Sequence, residues 1–368
     1  MNGDRSAEAL GTPFHLPERA PVTRIRGEGA QPLRAPAGPR TQAMCGFDAD
    51  YPDIVDYIVR ITDRIWIDRA IGLIYDTYDA ACVVYSMYGV VRSVEEVIVS
   101  TIVGINVAPD GQLDHLNVAW SGDEDQGFYT SHLGFGRSTN VGASPYGPAT
   151  GKRVGLRFAA DCVSTDNKIH TEWLVRDNGA FVDQLGFDRH AAARVAAAVP
   201  RAEIPVIVPS PTIDPRPRDL PNDTVEGWIR NMVHDVWNRR RLDRLDVYYA
   251  ADVAVHSGGG REAVGLGELS SLIVSIMAGL PNGAARVDHV CWSEETDGVI
   301  VAVRWVITGH TRSGGFLGDV PGGQPVEVML CSHLRFGAGK IVEEWTVFDE
   351  IGVLALAYRG VLAGAEPA

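Results

Sequence analysis

An internal repeat constrains the fold more than any other feature of this chain of 368 residues. The stretch GKRVGLRFAADCVSTDNKIHTEWLVRD, residues 151–177, aligns without a gap with GQPVEVMLCSHLRFGAGKIVEEWTVFD, residues 323–349. Each stretch is typical of a β-hairpin, because two runs of alternating apolar and polar residues flank a short turn, and each ends in an aspartate. A chain that repeats such a unit is predicted to fold as two similar halves.

The order of elements repeats as well. In each half, segments with helical spacing of apolar residues come first, and a run of antiparallel strands follows. Trp66 and Trp237 precede the first strand of their halves, and Ser86 and Ser257 end it. This order predicts an α+β fold rather than the alternation that builds a parallel sheet.

The repeat and the composition together give the domain boundaries. Residues 1–43 carry six arginines and six prolines with little apolar periodicity, so we expect a disordered extension, and Met44 is an alternative start. Residues 44–195 and 222–368 are the two predicted domains. The linker, residues 196–221, includes seven prolines between positions 200 and 221 and is expected to be semi-rigid.

Charge and cysteine usage exclude several classes of partner. The formal net charge of −14 argues against nucleic acid and against an anionic membrane surface, since both favour basic faces. The chain has no apolar run long enough to cross a bilayer. Its five cysteines are scattered, which fits reduced thiols in a cytoplasmic protein. Neither a metal-ligand spacing nor a nucleotide-binding glycine motif occurs, so we expect no metal and no cofactor.

Several segments of the second half resemble a known family. These are TGHT at 308–311, GGFLG at 314–318 and GKIVEEWTVFD at 339–349; the first half keeps PATGKR at 148–153 and HTEWLVRD at 170–177. Together they resemble the SnoaL-like branch of the nuclear transport factor 2-like superfamily. The resemblance implies two tandem cone-shaped α+β barrels, each with three helices packed on a curled antiparallel sheet around a pocket.

The resemblance also implies where chemistry would take place. Asp349 and Asp177 match the acidic residue that serves as acid and base in the polyketide cyclases of this branch. Strand geometry places Trp345 with Asp349, and Trp173 with Asp177, on one face of each closing strand. We expect this face to line the pocket, where burial among apolar residues would raise the pKa of each carboxyl. The alternative is that each aspartate only ends its strand and caps the next segment.

Four further residues are candidates for the pockets. His256 is predicted to shuttle protons with Asp349, and Tyr85, at the equivalent place in the first half, to donate a hydrogen bond beside Asp177. For His256, a structural role at a strand end is the alternative. His310 and His132 lie on middle strands and are predicted to contact ligand at the pocket rim.

Two functions from different classes remain open. The first is a cofactor-independent acid–base enzyme, of the dehydratase, isomerase or cyclase type, acting on a small, largely apolar molecule with a carbonyl or hydroxyl group. The second is a non-catalytic small-molecule-binding or scaffolding protein whose halves form an internal pseudo-dimer. Further homo-oligomerisation stays open in both cases. The differences between the halves predict that their two pockets do not share one task.

Overall fold

The computed structural model describes residues 11–25, 38–199 and 221–364, in which one order of elements occurs twice. The first half consists of α1 (Ile54–Trp66), α2 (Leu73–Thr77), β1 (Tyr78–Ser86), β2 (Gly89–Val91), α3 (Val94–Val107), β3 (Gln112–Asp123), β4 (Gly127–Thr139), β5 (Arg153–Thr165), β6 (Lys168–Arg176), α4 (Asn178–Leu185) and α5 (Arg189–Ala198). The second half consists of α6 (Val225–Val233), a π-helical turn (His234–Asn238), a 3-10 turn (Leu242–Arg244), α7 (Leu245–Tyr248), β7 (Tyr249–Ser257), β8 (Arg261–Val264), α8 (Gly265–Gly279), β9 (Ala284–Glu295), β10 (Gly298–His310), a 3-10 turn (Gly315–Leu317), β11 (Pro325–Gly337), β12 (Lys340–Phe348) and α9 (Glu350–Gly364). The predicted α+β order is confirmed.

Local sequence signals explain where these elements begin and turn. Asp53 caps α1, because its side chain accepts hydrogen bonds from the backbone N–H groups of Val55 and Asp56. The β5–β6 hairpin turns through Asp166 and Asn167, whose φ angles are +48° and +65°. Asp and Asn tolerate this left-handed region better than other residues with a side chain, so the expected tight hairpin forms.

All twelve strands form one mixed sheet, in the order β2-β1-β6-β5-β4-β3-β9-β10-β11-β12-β7-β8. The two six-stranded halves meet at one pairing, in which Trp120 of β3 lies opposite Trp292 of β9. The expected two tandem α+β units are present and are joined into one sheet; that each unit closes as a cone-shaped barrel stays a prediction. Strands β3 and β9 are the edge strands of their halves, and they pair with each other at this one position.

Helices cover one face of each half-sheet, and the opposite faces pack against each other. In β6, Leu174 packs with Ile65 of α1 and Val94 of α3, which identifies the helix side. The preceding residue, Trp173, points the other way, into a cluster that contains Tyr129 of β4 and Cys291 of β9. We call this contact between the two non-helix faces the seam. Strands β5 and β6 also contact β12 there, so the sheet curls back on itself.

A buried polar network crosses the seam. Tyr129 and Ser131 both donate hydrogen bonds to Asp161, and the hydroxyl of Ser131 lies 3.0 Å from Nε2 of His333 in the other half. Asp161 and His333 are almost completely buried. Burial raises the pKa of Asp161, whereas its hydrogen-bond donors lower it. Because buried polar groups favour the one arrangement that pairs them, this network fixes how the two faces meet.

The segment 11–25 runs across both halves and differs from the disorder expected for residues 1–43. Phe14 is fully buried in the second half, with ring centroids 5.0 Å from Phe336 and 6.0 Å from Trp228. Farther along, the guanidinium of Arg19 lies 3.6 Å from the ring centroid of Trp292 and donates hydrogen bonds to the backbone carbonyl groups of Trp120 and Trp292. A few well-placed apolar and planar groups thus order a segment whose average composition predicts disorder.

Parts of the predicted extension and linker lie outside the described residues, namely 1–10, 26–37 and 200–220. In the part of the chain that is described, no helix is both long and apolar enough to cross a membrane.

Candidate active site at the junction of the two halves

Asp349 is buried at the start of α9, where the two halves meet. Its carboxylate accepts hydrogen bonds from Nδ2 of Asn178, from the Tyr88 hydroxyl at 3.4 Å and from the backbone N–H of Gly352 at 3.0 Å. Only 3% of the residue is exposed. Burial raises the pKa of Asp349 to about 7, although the three donors and their dipoles pull it down. A carboxyl with this pKa can both accept and donate a proton near neutral pH.

Two tyrosine hydroxyls extend the hydrogen-bond network of Asp349. Tyr88, in the turn after β1, lies with its hydroxyl 3.0 Å from that of Tyr146, which belongs to the β4–β5 loop. Burial, followed by the negative charge of Asp349, raises the pKa of Tyr88 well above its usual value, so the phenol keeps its proton. Tyr88 as a whole residue is 38% exposed, but its hydroxyl is buried beside that of Tyr146 and the carboxyl of Asp349.

Asp177, the counterpart of Asp349 in the repeat, has a different environment. Its carboxylate accepts hydrogen bonds from the backbone N–H groups of Ala180 at 3.1 Å, Gly259 at 2.7 Å and Gly260 at 3.0 Å. These bonds cap α4 and hold the β7–β8 turn of the other half. Burial raises the pKa of Asp177, and the three N–H groups oppose that rise. The capping role that was weighed for both aspartates therefore describes Asp177 well.

The predicted pair of His256 and Asp349 does not form. His256 lies opposite Trp345 in the β7–β12 pairing, and Asp349 is four residues farther along, roughly 13 Å away at strand rise. His256 instead bonds Glu262, lies 3.5 Å from Glu343 and stacks on Trp345. Its pKa is raised, mainly by the hydrogen bond to Glu343. The prediction failed because β7 ends before the level of the carboxyl.

The tryptophans of the closing strands lie on the seam and not in a pocket. Trp173 stacks on Tyr85 at 5.6 Å, and the guanidinium of Arg304 from the other half lies 3.5 Å from its ring centroid. Trp345 takes the equivalent place beside His256. The sequence pattern groups the residues of one face correctly, but both faces are buried here. Alternation therefore does not identify which face meets the helices.

The two histidines predicted at the rim occupy different environments. His310 is exposed at the end of β10, where its Nδ1 lies 2.9 Å from Nδ2 of Asn282. His132 is buried on the helix side of the first half and bonds His115. Neither lies beside Asp349.

Sequence reasoning missed the residues that complete the Asp349 site. Tyr88, Tyr146 and Asn178 all come from the first half, whereas Asp349 comes from the second. The sequence pattern of one half does not predict which residues of the other half will form hydrogen bonds with it. A weak signal existed in the repeat itself, since Asn178 follows the counterpart of Asp349. Within the described residues, no group of three or more His, Cys, Asp or Glu side chains could hold a metal ion.

Comparison with known proteins finds a family model that matches part of the second half. A family model described as SnoaL-like polyketide cyclase matches residues 228–355. A search of curated proteins found no match. The duplication in the first half therefore rests on the repeat and on the order of elements, and its membership of the same family stays a prediction.

Several solved structures resemble about a third of the chain. TsrD from Streptomyces laurentii is 14% identical over 36% of this chain and 97% of its own, with a TM-score of 0.32. A SnoaL-like polyketide cyclase from Agrobacterium tumefaciens is 20% identical over 32% of this chain and 87% of its own, with a TM-score of 0.27. A Catenulispora acidiphila protein with a ketosteroid isomerase-like fold, in complex with trimethylamine, is 20% identical over 33% and 85%, with a TM-score of 0.28. Because these scores are low, the function proposed next rests on the site instead.

Proposed function

We propose that the protein is a cofactor-independent acid–base enzyme that moves a proton on a small, largely apolar molecule bearing a carbonyl or hydroxyl group. One observation carries the proposal: the buried carboxyl of Asp349, with a pKa of about 7, lies beside the hydroxyl of Tyr88. A base and a hydrogen-bond donor at one place are what proton abstraction next to a carbonyl requires. The SnoaL-like match over the second half, which contributes Asp349, supports the same class.

In this mechanism Asp349 takes a proton from the carbon next to the carbonyl. Negative charge then develops on the carbonyl oxygen, where Tyr88 donates a hydrogen bond and Tyr146 supports the Tyr88 hydroxyl. Asn178 holds the carboxylate in place through its amide. Asp349 returns the proton to another atom of the same molecule, which gives isomerisation, or to a leaving hydroxyl, which gives loss of water. Ring closure uses the same first step.

Hydrogen–deuterium exchange of a model ketone tests the proposal. The probe is 2-tetralone, an apolar bicyclic ketone with acidic α-hydrogens, followed by proton NMR in deuterium oxide. We expect the protein to accelerate the exchange, and Asp349→Asn to reduce this acceleration about a hundredfold, a typical loss for a general base. Tyr88→Phe should also reduce it, because the developing oxyanion loses its donor.

The repeat provides the matched control. Asp177→Asn alters the equivalent acid, which binds three backbone N–H groups, and should leave the exchange unchanged. Equal losses from Asp177→Asn and Asp349→Asn would contradict the assignment, and so would a fully active Asp349→Asn.

A second candidate, small-molecule binding without catalysis, would use a small cavity on the helix side of the second half. The cavity measures about 10 Å³, and its lining is mostly apolar: Trp237, Ile276, Met277, Leu280, Gly283, Ala285 and Ile307. Because this space holds about one water, an apolar ligand enters only if these side chains move apart, and it then gains contact area without a catalytic group. If this is the function, a ligand that copurifies should remain bound in Asp349→Asn and be lost when Ile276→Trp fills the cavity. Native mass spectrometry measures both.

A further inference from the structure

A chain of hydrogen bonds on the helix side of the first half has no role in the function proposed above. Oδ1 of Asp63, on α1, lies 3.0 Å from Nε2 of His115 on β3. Nδ1 of His115 lies 2.9 Å from Nε2 of His132 on β4, and the two rings stack with centroids 4.9 Å apart. Both imidazoles are about 1% exposed. The pairing of β3 with β4 is irregular next to His115, and such irregularities often redirect a side chain.

The direction of the hydrogen bonds follows from the carboxylate at one end. A carboxylate only accepts, so Nε2 of His115 carries the proton and donates to Asp63. Nδ1 of a neutral His115 is then bare and accepts the proton on Nε2 of His132. Nδ1 of His132 therefore keeps its lone pair. Burial lowers the pKa of His132 well below its usual value, and His115 and His333 lower it further, so this lone pair is free at neutral pH.

The second half shows that the fold does not need these histidines. In the repeat, Ala160 of β5 corresponds to Ser332 of β11. Ala160 pairs with His132, whereas Ser332 pairs with Val303. Two residues after His132, Gly134 pairs with His115 of β3. Two residues after Val303, Trp305 pairs with Val287 of β9, so Val287 is the counterpart of His115. Both valines are buried. Burying imidazoles where valine suffices carries a desolvation cost, which points to a role other than packing.

Two buried hydroxyls on the helix side of the first half have no hydrogen-bond partner in the described part of the chain. They are Oγ1 of Thr130 and Oγ of Ser164, and both residues are completely buried. Thr130 is two residues from His132 on β4 and so points to the same helix side. Ser164 lies opposite Phe128, which packs against α1 on that side. Buried hydroxyls without partners mark places where a polar atom of a ligand or a water fits.

We propose that the helix side of the first half is a second proton-transfer site, in which Nδ1 of His132 accepts a proton from a small hydroxyl- or carbonyl-bearing molecule and Thr130 bonds that molecule's oxygen. The proton leaves an O–H or C–H bond, and its electron pair stays on the ligand. The positive charge on His132 is shared through His115 and offset by the carboxylate of Asp63. His132 then returns the proton to the ligand, so no other reactant is needed. Asp63 and His115 are positioning residues.

Nitrogen-15 NMR of the full chain labelled at histidine tests the proton arrangement. We expect His132 to be neutral from pH 5 to pH 8, with a proton on Nε2 and a bare Nδ1. Asp63→Ala removes the acceptor, so the other tautomer of His115 and His132 should appear. Asp56→Asn removes a carboxylate from the same helix without touching the chain of bonds and should change neither ring. A protonated Nδ1 of His132 in the unaltered protein would overturn the proposal.

Acylation by diethyl pyrocarbonate tests whether a small molecule reaches the bare nitrogen. Peptide mass mapping should find His132 acylated, more slowly than the exposed His310, and about tenfold more slowly in Asp63→Ala. A His132 that stays unmodified after His310 has reacted completely would overturn the proposal.

A double variant separates this role from packing. His115→Val with His132→Val installs the residues of the other half, so its melting temperature should equal or exceed that of the unaltered protein. Failure to fold would assign the histidines to structure and overturn the proposal. Asp349→Asn should leave the His132 signals and the acylation unchanged, so this site can fail or hold independently of the Asp349 site.

Discussion

Asp349 accepts a hydrogen bond from Asn178 of the other half. Asn178 directly follows Asp177, which is the counterpart of Asp349 in the repeat. Asp177 in turn bonds Gly259 and Gly260 of the second half. Each acid therefore reaches across the junction, but the donors to Asp349 include the hydroxyl of Tyr88, whereas those to Asp177 are backbone N–H groups. The two equivalent positions of the repeat therefore have different roles: Asp177 is a helix cap, and Asp349 is the candidate base.

The raised pKa of Asp349 predicts how stability depends on pH. The folded state holds the proton up to about pH 7, whereas the unfolded chain releases it near the usual aspartate pKa of 3.8. The stabilisation from this proton is fully present below pH 3.8 and is lost as pH rises through about 7. The Asp349→Asn variant has no carboxyl at this position, so it does not lose this stabilisation as pH rises. The free energy of unfolding of the variant, relative to the unaltered protein, should rise by up to about 4 kcal/mol between pH 4 and pH 8.

Urea unfolding at four pH values measures that difference. Because other groups titrate equally in both proteins, only the difference between them reports Asp349. A difference that stays constant with pH would contradict the raised pKa.

Removing Asp177 should destabilise the protein without removing the proposed base. Asp177→Ala leaves the N–H groups of Ala180, Gly259 and Gly260 without their acceptor. We expect a loss of about 2 to 4 kcal/mol in the free energy of unfolding, since buried donors lose their partner. Asp188→Ala is the matched control, because Asp188 caps α5 through Ala191 and bonds no residue of the other half. That change should cost about 1 kcal/mol. Equal losses would show that the bonds across the junction add nothing.

His256 should act on stability and not on turnover. Its pKa is raised by Glu343 and Glu262, so the stabilisation is fully present below the unfolded value of 6.5 and is lost as pH rises through the folded value. His256→Gln should therefore lower the melting temperature at pH 5.5 and leave it unchanged at pH 9. Calorimetry at the two pH values checks this. A loss of ketone exchange in His256→Gln would instead restore the catalytic role that the strand register argues against.

The contacts of Phe14 predict that the N-terminal segment stabilises the second half. Phe14→Ala would leave a cavity between Trp228 and Phe336, and substitutions of this kind cost about 3 to 5 kcal/mol. Urea unfolding followed by tryptophan fluorescence measures the loss. Glu18→Ala, in the same segment but exposed, should change stability by less than about 0.5 kcal/mol. If Phe14→Ala were as neutral as Glu18→Ala, the segment would be dispensable.

The sequence predicts the secondary-structure elements well, but it predicts poorly which residues contact each other across the fold. Helices before strands and a hairpin with a short turn were expected, and local chemistry produces both, through the cap at Asp53 and the turn at Asp166–Asn167. The burial of Asp349 was also expected, because it shares a face with apolar residues. The identity of that face was not, because apolar residues cover both sides of a doubly buried strand. Tyr88 and His115 escaped notice for a related reason: their partners are distant in sequence, and a single chain gives no record of such contacts.

The path of the N-terminal segment has a consequence for the order in which the molecule is built. Residues 11–16 leave the ribosome well before Trp228 and Phe336, the residues that form the surface against which Phe14 packs. The first half can assemble while the second is still being made, whereas the opening residues must wait, with Phe14 and Leu16 exposed to water. During that interval these two side chains are available to chaperones, and the segment 11–16 docks only after Trp228 and Phe336 have been made.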